Sequence, residues 1–251
     1  MNEGGTGGVP GGASANRIEQ LVGRWLLAAT LVLVVCSVVA EEGRPYGVPG
    51  GKFFTVGTEA NLWTWFNVVV LFLAALAHAV AGLQARQVGR PFAWFVIVAV
   101  LILGLSIDDL TALHERLGGV GTNMGGGYGL LAFAWVVPGA LIGVAVAVAV
   151  VCLARQLPPR PKWLLVVGLG MFLGAALGLE SVSALVLQHN SGWPYRAVAT
   201  VEETFEALGA ILLLRSALAT LTFAADRGTV SIRSRLVPRD DAVLSGMGSS
   251  S

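Results

Sequence analysis

Two acidic segments carry the residue types with the most chemistry to offer. From Leu105 to Gly118 the chain reads LSIDDLTALHERLG, which places Asp108, Asp109, His114, Glu115 and Arg116 at the end of an apolar run. Ionisable groups at membrane depth are rare and mark sites or pathways. On a helix, which turns about 100° per residue, Asp108 and Glu115 project about 20° apart, with Thr111 and His114 on the adjoining arc. Asp109 falls to the other side with Arg116, so one face offers two carboxylates and an imidazole. The second segment is Glu-Glu-x2-Glu, over Glu202, Glu203 and Glu206, and Glu180 is the single acid of the apolar run before it. Carboxylates and imidazoles from neighbouring helices are the donors with which a helix bundle holds iron, manganese or zinc. The spacing therefore nominates Asp108, His114, Glu115, Glu180, Glu203 and Glu206 as metal ligands, with Glu180 and Glu206 as acid or base groups.

Each nominee also has a structural reading. The helix bearing Asp108 can end near Ile107, leaving a solvated acidic turn. Thr200-Val201-Glu202-Glu203 matches a capping box, in which Thr200 and Glu203 satisfy free amides at a helix start and the dipole favours negative charge. That assigns Glu202 to structure. Glu180 resists such an explanation, because it stands where a helix C-terminal dipole disfavours a carboxylate. His78 reads as a packing residue or as an inner exit for protons, and His189 as a solvated link residue. Cys36 and Cys152 fall near opposite ends of the bundle, too far apart for a disulfide.

Composition says what holds these groups. Hydrophobic residues make up 55% of the 251 and charged residues only 12%, and mean hydropathy is +0.75. Soluble chains carry about 25% charge, so this is an integral membrane protein. The balance of 16 basic against 15 acidic residues points to no nucleic-acid partner. No phosphate loop, Cys-x-x-Cys or HExxH motif is present.

Residues 1–16 are Gly-rich and are expected to be disordered. Six apolar runs follow, each close to the 20 or so residues that cross a bilayer: Leu21–Ala40, Asn61–Leu83, Phe92–Ile107 and beyond, Tyr128–Leu153 with Pro138 kinking it, Trp163–Leu187, and Val201–Thr222. They make one transmembrane domain over 17–222, and residues 223–251 read as a basic, mostly disordered tail. In the fifth run Gly170, Gly174 and Gly178 recur every four residues, a smooth stripe expected to pack tightly against another helix.

Charge sets the orientation. Arg17, Arg24, Arg86, Arg90, Arg155, Arg160, Lys162, Arg227, Arg233, Arg235 and Arg239 fall on one side, against Arg44, Lys52, Arg116 and Arg196 on the other. By the positive-inside rule both termini are cytoplasmic. Arg215 lies about two turns from the inner end of the sixth run, within snorkelling reach of the interface. The acids Glu41, Glu42, Glu59, Asp108, Asp109, Glu115, Glu180, Glu202, Glu203 and Glu206 collect at the outer end. Carboxylates crowded there need a cation, protons or a basic partner.

The expected fold is thus an all-α, polytopic bundle of six transmembrane helices, both termini cytoplasmic, in the plasma membrane. The Asp-Asp-x4-His-Glu segment at Asp108–Glu115 and the Glu-Glu-x2-Glu segment at Glu202–Glu206 resemble those of uncharacterised bacterial multi-span membrane proteins, over the third to sixth runs. That resemblance implies an integral membrane family and brings no activity with it. Di-metal carboxylate bundles use Glu-x-x-His on two helices, which this chain lacks. Three functions fit: an outward-facing site for a divalent metal, serving a metal-dependent enzyme that acts on a lipid or periplasmic small molecule; a proton- or cation-coupled transporter; and a structural or assembly protein whose acids pair with each other and with Arg116 or Arg196. The partners expected are the lipid bilayer and a lipid or periplasmic small-molecule substrate, with no nucleic acid.

Overall fold

A computed structural model describes residues 11–43, 51–56, 61–190, 192–226 and 229–236. The chain starts on α1 (Gly11–Gly43), which begins inside the Gly-rich stretch expected to be disordered; the rest of that expectation, residues 1–10, lies outside the described residues. After the single turn α2 (Gly51–Phe54) comes α3 (Leu62–Gln87). Asn61 starts it: its side-chain oxygen accepts the Thr64 N–H at 2.9 Å, and its Nδ2 donates to the Thr55 carbonyl at 2.8 Å. That satisfies one of the free amides every helix start exposes.

The chain turns back at Gly89-Arg90-Pro91 into α4 (Ala93–Thr111), then makes two short helices, α5 (Leu113–Arg116) and α6 (Gly118–Asn123). Helix α7 (Val136–Ala154) follows a 3-10 turn at Gly129–Leu131. It starts eight residues later than the apolar run suggested, because the glycines before it do not sustain a helix. Pro138 consequently sits in the first turn, where its missing N–H costs nothing, and the expected mid-helix kink has no cause. Next, α8 (Pro159–Leu173) continues through a π-helical turn at Gly174–Leu179 into α9 (Glu180–His189). The last helix is α10 (Trp193–Ala219).

Five segments are long and apolar enough to cross a membrane: Arg17–Gly43, Leu62–Gln87, Ala93–Thr111, Val136–Ala154 and Pro159–His189. The fold is a polytopic helical bundle. Helix α10 is long too but carries Arg196, Glu202, Glu203, Glu206 and Arg215. It nevertheless lies at the centre, packed on α8, α3 and α1, with Ala207, Ala210, Ile211 and Leu213 fully buried. The outside of the bundle is apolar, with Leu31, Phe72, Val100, Leu141 and Val144 exposed, the reverse of a soluble protein and what lipid requires.

Small residues decide where helices touch, and not the ones the sequence nominated. A Cβ built at Gly170, Gly174 or Gly178 meets nothing within 4 Å, so the stripe faces open space. The close approach is made by Gly168 and Gly209 instead. A Cβ at Gly209 would stand 2.7 Å from the Phe172 nitrogen and 2.8 Å from the Gly168 carbonyl.

At the basic end, the segment read as a disordered tail forms an antiparallel hairpin, β1 (Leu221–Asp226) with β2 (Thr229–Ser234). The Arg235 N–H closes it by donating to the Thr220 carbonyl at 2.8 Å, and Leu221 and Leu236 bury themselves in the core. Period-two alternation over so few residues is hidden by the Ser and Arg that surround it. Residues 237–251 lie outside the described ones. Above the hairpin, Glu19 of α1 is only 1% exposed and is bound by Arg160 and Arg215, each at 2.5 Å. Arg215, expected to snorkel, pairs with Glu19 and so holds the first helix to the last.

Candidate functional site

The acidic end of the bundle is organised by a reversal at Ala112. This residue adopts φ 47°, ψ 44°, the one non-glycine with positive φ among the described residues. A left-handed alanine costs about 1–2 kcal/mol and persists only where its surroundings hold it. Here Asp108 does so: its two oxygens accept the His114 backbone N–H at 2.7 Å and the His114 ring Nδ1–H at 3.0 Å. The imidazole packs at a tilt on Trp135, ring centroids 4.4 Å apart. Burial alone would pull the His114 pKa down, but the Asp108 hydrogen bond and the Asp108, Glu180 and Glu115 charges raise it above the ordinary imidazole value.

Because the helix stops at Thr111, the projection that put Asp108 and Glu115 on one face does not hold. Asp108 spends both oxygens on His114. Asp109, assigned by the same projection to the far side, instead enters the site, with Oδ2 fully enclosed by protein.

Two other helices deliver acids to this level. Glu180 follows the π-helical turn directly, and a single π turn, which shifts the register of everything after it, recurs at functional sites. Glu202, Glu203 and Glu206 come from α10. Glu202 is buried and accepts the Ser183 hydroxyl at 2.7 Å, and its carboxyl is within hydrogen-bonding reach of Glu180. Glu203 accepts the side-chain amide of Asn67, a wholly buried residue of α3, at 3.3 Å. Glu206 sits deeper on α10, in electrostatic contact with Glu203, Asp109, Glu202 and Glu180.

The capping role expected for Glu202 and Glu203 is not what they do. Helix α10 starts at Trp193, seven residues before Thr200, whose hydroxyl donates to the Arg196 carbonyl at 2.9 Å in mid-helix. Pro194 at the second helical position explains the early start, since a proline there needs no N–H partner.

Over this cluster opens a cavity of about 690 Å³, walled by Asp109, His114, Glu115, Glu180, Ser183, Tyr195, Glu202 and Glu203, with Phe133 and Trp135. No Lys or Arg lines it among the described residues. Arg196, one of the expected basic partners, is paired with Glu41 at 3.0 Å. The structure thus gathers Glu180, Glu203, Glu206, His114 and Glu115 at one end, and ties Asp108 to His114.

Among the described residues no group of three or more His, Cys, Asp or Glu side chains could hold a metal ion. The iron, manganese or zinc centre expected over Asp108, His114, Glu115, Glu180, Glu203 and Glu206 is not assembled: Asp108 and His114 satisfy each other, and Glu202 turns to Ser183 and Glu180. His78 is buried far down α3, its Nδ1–H donating to the Ala74 carbonyl at 2.9 Å. His189 is exposed and bonded to the Leu185 carbonyl.

Sequence reasoning missed Asp109, Asn67, Tyr195 and Trp135. Only Asn67 left a signal, as an amide alone in an apolar run. No curated protein and no solved structure matches the chain. The family model described as "Domain of unknown function (DUF8692)" matches residues 25–221, from α1 through the whole acidic site to the start of the hairpin, and the chain belongs to that family.

Proposed function

We propose that the protein is a proton-coupled transporter of the plasma membrane, whose carboxyl cluster is loaded with protons from the outer face. The observation that carries this reading is the Glu180–Glu202 contact beside Asp109, Glu203 and Glu206. An ionised carboxylate accepts hydrogen bonds and cannot donate one, so two carboxyls that bond to each other have a proton between them. His114 is the one basic side chain of the lining among the described residues, so protons or a transported cation must balance the charge it leaves. Proton relays and ion pathways are among the functions for which ionisable groups are kept at membrane depth.

Six spans and cytoplasmic termini complete the proposal. Helix α10, with 27 residues, is about 40 Å long at 1.5 Å per residue, enough for a core about 30 Å thick. Its acids turn to the cluster and Arg215 to Glu19, so it shows lipid little charge. Exposed Trp25 and Trp163 mark one interfacial level and Trp65, Tyr128 and Trp193 the other. The Lys and Arg bias puts the hairpin end in the cytoplasm. Cysteines introduced at Val88 and Gln156 are expected to react with an impermeant maleimide only from inside, and one at Asn123 only from outside; the reverse at two of the three would overturn the orientation.

Infrared difference spectroscopy in nanodiscs tests the protonation. At neutral pH a protonated-carboxyl C=O band is expected, shifted in D2O and markedly weaker in Glu202→Gln. A spectrum with ionised carboxylates alone rules the reading out. Metal analysis runs beside it: a stoichiometric metal retained by the wild type and lost in Glu180→Gln would replace protons by a metal as the cluster's counter-charge.

A further inference from the structure

We infer that the cavity above the carboxyl cluster binds a small organic ammonium ion, a protonated amine carrying an apolar or aromatic group. This names the solute of the proposed transporter and rests on the reading of the cluster as a transport site. Size comes first. A proton or a metal ion needs a few ångströms, whereas about 690 Å³ falls in the range of pockets that enclose whole organic molecules.

Charge gives the sign. Asp109, Glu115, Glu180, Glu202 and Glu203 reach the cavity against a single basic side chain, His114, among the described residues. The remaining wall is aromatic, with Phe133 and Trp135 from the segment entering α7 and Tyr195 from α10. Aromatic faces attract cations, most strongly in a site shielded from water.

An independent observation asks for a donor. Asp109 Oδ2 is enclosed by protein and has no hydrogen-bond partner among the described residues, although a buried acceptor without a partner is costly. An ammonium ion in the cavity supplies the missing charge and, once the Asp109 carboxylate that lines the cavity rotates to meet it, the missing donor, while its organic group meets the aromatic wall.

The test is calorimetric titration of the full chain in nanodiscs with benzylammonium and 2-phenylethylammonium, using benzyl alcohol and 2-phenylethanol as neutral counterparts of matching shape. At least one ammonium is expected to bind saturably and both alcohols to show partitioning only. Asp109→Asn is expected to weaken the ammonium at least tenfold. Trp135→Ala, which leaves every carboxyl in place, should weaken it severalfold and so keeps the test valid should Asp109→Asn fold poorly. Equal behaviour of ammonium and alcohol, binding by neither ammonium, or affinity untouched by both substitutions overturns the inference. So does full displacement by equimolar Mn²⁺, which would make the site a metal site. The infrared band separates the two readings: a band without ammonium binding removes the solute and leaves the protons, and ammonium binding without a band does the opposite.

Discussion

Replacing Arg215 by Leu is expected to lower the stability of the bundle by about 3–5 kcal/mol, the usual result of breaking a buried pair and stranding the other charge. Glu19 is 1% exposed, so water cannot take over from the lost guanidinium. Arg160 remains, but at 46% side-chain exposure it compensates only partly. Glu19→Gln added to Arg215→Leu should return most of the loss, because no charge is then left buried. Thermal unfolding in one detergent, run as a double-mutant cycle, reads out the coupling. Additive losses would mean that the pair is structurally incidental.

Gly209→Val is the second large effect. Helices α8 and α10 touch backbone to backbone here. Even the first carbon of a side chain would stand 2.7 Å from the Phe172 nitrogen. Neither backbone can step aside as a flexible side chain would, so the helices must part and the packing of Leu165, Leu169 and Ile211 loosens. Overpacking of this kind costs about 1–3 kcal/mol, with the upper end expected where backbone is the obstacle. Parting also pulls Glu202, about two turns up α10, away from Ser183. A lower melting temperature should therefore come with a changed carboxyl infrared band. Gly170→Ala is the control: its Cβ meets nothing, and a glycine removed from a helix interior is expected to stabilise by roughly 0.5–1 kcal/mol. A Gly209→Val protein as stable as the wild type would show that the two helices do not meet where the structure places them.

Hydropathy made the long helices legible because lipid imposes the same demand on every span: an apolar surface and satisfied backbone. Glu180 was legible as a lone acid for the same reason. What escaped were features set by single backbone residues. The left-handed turn at Ala112 has no sequence signal, since alanine favours helix, yet it brings His114 back onto Asp108 and leaves Asp109 as the α4 acid that lines the cavity. The capping pattern at Thr200 was a sound local motif overridden by tertiary structure: once Trp193 and Pro194 start the helix earlier, the acids are free to serve the interior. The glycine stripe failed because spacing marks a smooth face without saying whether anything lies against it. Gly168 and Gly209, on different helices, could be matched only in three dimensions.

The clasp on Glu19 also dictates an order of events during synthesis. Its partners follow 141 and 196 residues later in the chain. At about 5–20 residues per second, roughly 10–40 s pass between emergence of Glu19 and of Arg215. Until Arg160 has been made Glu19 has neither of its partners, and from then until Arg215 arrives it has only the more exposed of the two. Only the last helix, arriving between α1, α3 and α8, completes the clasp. A nascent chain cut short before Arg215 thus lacks both the more enclosed guanidinium and the tie between its first helix and its last.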